Sequence, residues 1–107
     1  MEKEIRLYET TNKEIPFQKW INEQKDIRGK IAVLERVNRL EKGLYGLWRR
    51  IDEIFELKID VGPGYRVYFG KHDKKVIILL IAGSKRSQSK DIKKAKLYWF
   101  DYKERFK

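Results

Sequence analysis

At 107 residues, with 41% hydrophobic and 13% aromatic side chains, the chain has material for one core and one domain, and it is too apolar for a disordered basic tail. Lys and Arg number 26 against 16 Asp and Glu, a net charge of +10 that favours polyanions such as nucleic acid or an acidic protein surface. There is no cysteine, which excludes disulfides and thiolate metal centres.

Glu4–Glu9 alternates apolar and polar residues and predicts a first strand. Thr11 stands three residues before Glu14, the spacing of a capping box, and Phe17, Trp20 and Ile21 follow at helical spacing to about Lys25. A second series, Ile27, Ile31, Leu34, Val37 and Leu40, keeps to one helical face and predicts a helix stopped at Gly43 and Gly46. The two helices are expected to form a helical hairpin lying on a sheet.

From Leu47 the period changes. Leu47–Ile51, Glu53–Asp60 and Tyr65–Lys71 read as strands, the last two joined by the Gly62-Pro63-Gly64 turn. Proline is expected to preset the turn's first dihedral and glycine to take its positive-φ position. Val76–Ala82 is apolar throughout and predicts a strand buried on both faces. It is much too short to cross a bilayer, and no charged-then-apolar leader opens the chain, so a cytoplasmic protein is expected. The single histidine, His72, falls in the polar turn before that strand and reads as solvated. After the loop Gly83–Arg86, Ser87 or Ser89 can cap a last helix, with Ile92, Ala95, Trp99, Tyr102 and Phe106 on its core stripe. Residues 83–107 carry nine basic and three acidic side chains, more than half of the whole excess. The fold class predicted is a single α+β domain, 1–107, with a mainly antiparallel twisted sheet, helices on one face and the other face partly open.

Two local patterns stand out. The first is Glu56-Leu57-Lys58-Ile59-Asp60-x-Gly62-Pro63-Gly64-Tyr65-Arg66-Val67-Tyr68, and the second is Gly83-x-Lys85-x-x-Gln88-x-x-Asp91-Ile92-x-x-Ala95. Together with the order of elements, they resemble the RelE/ParE superfamily of toxins from type II toxin–antitoxin modules, above all the HigB-like, phage-related addiction module killer proteins. The resemblance covers nearly the whole chain.

It implies a RelE-like microRNase fold with an N-terminal helical hairpin and a C-terminal helix. It also implies a ribosome-dependent endoribonuclease that cleaves mRNA and inhibits translation, needing no cofactor and no metal. Its partners would be the ribosome with its mRNA and a cognate antitoxin, a helix-turn-helix HigA-like protein through which alone it would reach operator DNA; no membrane is implied. The ParE branch, which inhibits DNA gyrase and cleaves nothing, is the alternative.

Metal-free RNA cleavage needs a base for the ribose 2′-OH, a cation for the charge growing on phosphorus, and an acid for the leaving 5′ oxygen. Arg66 is the candidate for the phosphate role, because its fork can grip two phosphate oxygens and it matches the arginine such nucleases use on this strand. An ion pair with Asp60 or Glu56 is the competing structural role. Lys58 shares a strand face with Glu56 and Asp60 and reads as an electrostatic or phosphate contact, or as a solvated lysine paired to Glu56. Lys85 and Arg86 lie in the loop where these nucleases place a further cation, and Lys90 and Lys93 extend that positive surface. Asp91 is read either as a proton acceptor or orienter of Lys85, or as a helix-capping residue. The tyrosine or histidine that family nucleases often present near the last helix is missing from Ser87-Gln88-Ser89-Lys90-Asp91, so the general acid and base have no residue assigned.

Overall fold

The computed structural model describes residues 1–107. In chain order the elements are β1 (Glu4–Leu7), α1 (Pro16–Glu23), α2 (Ile27–Glu41), β2 (Trp48–Ile51), β3 (Ile54–Ile59), β4 (Tyr65–Lys71), β5 (Val76–Ser84), a 3-10 turn (Lys85–Ser87) and α3 (Gln88–Arg105). The strands form one five-stranded sheet in the order β1-β5-β4-β3-β2. No helix is long and apolar enough to cross a membrane.

The expected architecture needs correction. The sheet is mixed: β1 runs parallel to β5, with Glu4 opposite Val76 and Leu7 opposite Leu79, and the remaining pairings are antiparallel. No helical hairpin opens the chain. A strand comes first, and α1 and α2 lie in the middle of the sequence, between β1 and β2. Nor do they pack as a hairpin, because α1 rests on β5 while α2 rests on β3 and β4. The helices also cover both faces. Phe17, Ile21, Val33 and Leu40 from α1 and α2 pack on Leu57, Val67, Phe69 and Leu79. On the opposite face, Ala95, Trp99 and Tyr102 from α3 pack on Ile54, Tyr68, Ile78 and Leu80. The alternation of β3, β4 and β5 divides their apolar residues between these two cores.

Local chemistry explains the helix starts. Pro16 takes the first helical position of α1, where its missing N–H costs nothing, and Thr11 plays no capping part. Instead the Glu14 amide donates to the Thr10 hydroxyl at 3.1 Å. Asp26 caps α2 by accepting from the Gly29 amide at 3.2 Å. Its second oxygen takes the Tyr65 hydroxyl at 2.5 Å, locking the cap to the first residue of β4. A side chain at Gly29 would run into the Tyr65 ring, so this glycine sets how closely α2 approaches the sheet.

That approach turns α2 differently from the predicted stripe. Gly29, Val33 and Leu40 face inward, while Ile27, Ile31 and Leu34 are exposed. Together with Ile5 and Val37, Ile31 and Leu34 line an apolar groove of about 510 Å³ between α2 and β1. On α3 the expected stripe holds for Ala95, Trp99 and Tyr102, but Phe106 is exposed just past the last turn.

Candidate functional site

The fold buries three charged side chains, Glu56 (2% exposed), Arg66 (4%) and Asp91 (6%). All three lie on the α3 side of the sheet, around the start of α3. β3 and β4 set the first two. Lys58 sits directly opposite Arg66, and Glu56 directly opposite Tyr68, so four polar side chains share one face of a two-strand ladder. On the far side of β3, Arg49 of β2 is opposite Glu56. Arg49, Glu56, Lys58, Arg66 and Gln88 line a cavity of about 360 Å³ that opens between the sheet and the beginning of α3.

The connection between β3 and β4 differs from expectation in one detail. The Gly64 amide donates to the Val61 carbonyl at 3.0 Å, which makes Gly62 and Pro63 the central turn residues. Gly62, with φ +56°, therefore takes the first central position, and proline the second. Gly64, at φ +88°, joins the two halves of the site. Its carbonyl accepts from the Lys85 amide at 2.9 Å, and a Cβ placed on it would lie 3.3 Å from Arg66 Nη1 and 3.6 Å from Lys85 Cβ. Arg66 and Lys85, far apart in sequence, thus meet at one glycine.

Charge is balanced unevenly here. Glu56 Oε1 accepts from Arg49 Nε at 2.7 Å and Oε2 from Gln88 Nε2 at 3.0 Å. Burial works to raise the Glu56 carboxyl, but these two donors and the Arg49 charge outweigh it, leaving its pKa below the ordinary glutamate value. Glu56 is therefore a carboxylate at neutral pH. Arg66 has no such partner. It forms no ion pair, its Nη1 donates weakly to its own neighbour's carbonyl, Tyr65 O, at 3.3 Å, and its Nε has no acceptor. A buried guanidinium facing a lysine, with no carboxylate bonded to it, is an arrangement that an anion completes.

Asp91 serves the frame of the site. It accepts from the Ser87 hydroxyl at 2.5 Å and lies so close to Gly83 that any side chain there would collide with it. Burial pushes its carboxyl above the usual range, against the opposing Ser87 bond and the Lys94 and Lys90 charges. It bonds to Ser87 and makes no bond to Lys85. Lys85 and Arg86 are exposed on the 3-10 turn beside the cavity, and Lys90 and Lys93 are exposed further along α3. Asp60, beyond the end of β3, lies on the other side of the sheet near Arg36 and Arg39. Tyr65 is held by Asp26, Tyr98 stacks on Tyr8, and Tyr102 pairs with His72, so none of these three reaches the cavity.

Arg49, Glu56 and Tyr68 complete the constellation without having been singled out as site residues. The signal for them was cross-strand register. Asp52 and Glu53 form the two-residue turn between β2 and β3, which aligns Arg49, Glu56 and Tyr68 across three strands. No group of three or more His, Asp or Glu side chains converges anywhere in the fold.

The fold and site define an α+β domain with a solvent-facing corner of buried charges. No protein-family model matches the chain. It is 43% identical over 84 residues to an uncharacterized protein of Haemophilus influenzae (strain ATCC 51907 / DSM 11121 / KW20 / Rd), a match that spans 78% of this chain and 85% of that protein. The chain belongs to the same family as that Haemophilus protein.

Proposed function

We propose that this protein is a toxin of the RelE/ParE superfamily, HigB-like in kind, that cleaves mRNA on the ribosome without a metal. The observation that carries the reading is the buried, unpaired guanidinium of Arg66 beside an ionised Glu56 in a cavity open to solvent. Arg66, Lys58 and Lys85 hold the scissile phosphate and its neighbour. Glu56 accepts the proton of the 2′-OH, whose oxygen then bonds to phosphorus. As the bond from phosphorus to the 5′ oxygen breaks, the Lys58 ammonium gives that oxygen a proton, so one proton is taken and one returned. Arg66 offsets the charge on the phosphorane. Ribosome-bound mRNA supplies much of the alignment, in keeping with so few catalytic groups. A small helix-turn-helix antitoxin completes the module and carries it to operator DNA.

Primer extension on cellular mRNA after brief induction tests this. Discrete cuts are expected, and Arg66→Ala should lower them about 10²–10³-fold, the usual cost of removing one transition-state donor. Intact transcripts with arrested DNA replication would replace this reading with gyrase inhibition.

A further inference from the structure

Two side-chain polar atoms in this protein are closed off from solvent and have no bonding partner: Arg66 Nε and the Tyr68 hydroxyl. They are two residues apart on β4, so their side chains leave the same face of the sheet. Folded proteins seldom leave buried donors unsatisfied, and two side by side at one site point to a shared acceptor. The nearest carboxylate, Glu56, accepts from Arg49 and Gln88 instead, and the Tyr68 hydroxyl makes no bond to it. Tyr68 is also held as a donor: burial and the Glu56 and Asp91 carboxylates push its pKa far up, with Arg66 opposing.

We propose that Tyr68 Oη and Arg66 Nε form an oxyanion subsite beneath the surface cations, one that takes a non-bridging oxygen of a phosphodiester. The proposal deepens the ribonuclease reading and rests on it for the identity of the ester. The two donors are fixed in the sheet before substrate arrives, as stabilisation of developing charge requires. Arg66 lines the cavity, and Gln88 stands on its wall bonded to Glu56. Such a site trades stability for function, because each orphan donor weakens the empty fold.

Tyr68→Phe tests this, since it removes one oxygen and leaves the ring in its core. The probe is a single-stranded oligonucleotide of 2′-deoxy sugars, which has no 2′-OH to attack phosphorus and cannot be cleaved. Binding is read by fluorescence anisotropy and stability by thermal melting. Without probe, Tyr68→Phe should melt at a higher temperature than wild type. With probe, it should bind about tenfold or more weakly, the loss expected of one hydrogen bond to a charged group. If it binds as tightly as wild type while Arg66→Ala does not bind, the subsite is wrong and the cationic pocket stands. If binding depends on Tyr68 but induced cells show no mRNA cuts, the subsite stands and the nuclease reading falls. A wild-type protein that does not bind the probe overturns the subsite, while the mRNA cuts in induced cells decide the nuclease reading.

Discussion

Glu56 shows how far a single residue's surroundings decide its chemistry. An isolated carboxyl this deeply buried would be neutral; here donors from Arg49 and Gln88 keep it ionised. Because its folded pKa lies below its unfolded one, Glu56 adds stability that is fully present above the ordinary glutamate value of about 4.3 and is lost as pH falls through the depressed folded value. Asp91, whose folded pKa is raised, acts in the opposite sense, so the bulk pH profile mixes the two. Comparing wild type with Glu56→Gln isolates the first. The gap in unfolding free energy should be constant from pH 7 to about 5 and should narrow below that range. A gap that stays the same down to pH 3 would mean that Glu56 is not held as a carboxylate.

At the scale of elements, the β3–β4 connection is the part on which the site depends most. Gly64 has a backbone conformation that a side chain resists, and it also stands between Arg66 and Lys85. Gly64→Ala should cost about 1–2 kcal/mol in urea unfolding from the left-handed conformation alone. It should also displace the Arg66 guanidinium, so mRNA cleavage should fall by more than the lost stability explains. A variant with wild-type cleavage would show that Arg66 does not need this close approach.

This hairpin was legible in the sequence, because alternation and a Gly-Pro-Gly turn are local signals. So was β5, from its unbroken apolar run. The orientation of α2 was not. Its apolar residues define two overlapping faces, and the choice between them rests on Gly29, a residue that carries no hydrophobic signal yet lets the Tyr65 ring lie against the helix. The parallel β1–β5 pairing was equally hidden, since nothing local to Glu4–Leu7 specifies its neighbour. In the site, Arg66, Lys58 and Lys85 stood out by charge and motif. Glu56 and Tyr68 looked like ordinary strand residues until register placed them opposite each other.

Across the whole molecule the excess positive charge gathers in the last quarter of the sequence, and Lys85 from that part lies near Arg66 and Lys58 of the sheet, with Arg86 next to it in the chain. If these four hold a single-stranded RNA, the logarithm of the binding constant should fall against the logarithm of salt concentration with a slope of about −3. Anisotropy titrations across a series of KCl concentrations measure it. A slope near zero would remove phosphate contact as the basis of binding, and a much steeper one would bring in the lysines further along α3.

The sheet order has a further outcome for how the protein is made. The first strand to leave the ribosome finds its neighbour only when β5, the last strand, has been synthesised. Gln88, which lines the cavity with Arg66 and Glu56, comes later still. The pairing of β1 with β5 closes a loop of about 70 residues, and contacts so distant in sequence form slowly. The cavity beside β3 and β4 is therefore complete only after β5 and the start of α3 have been made.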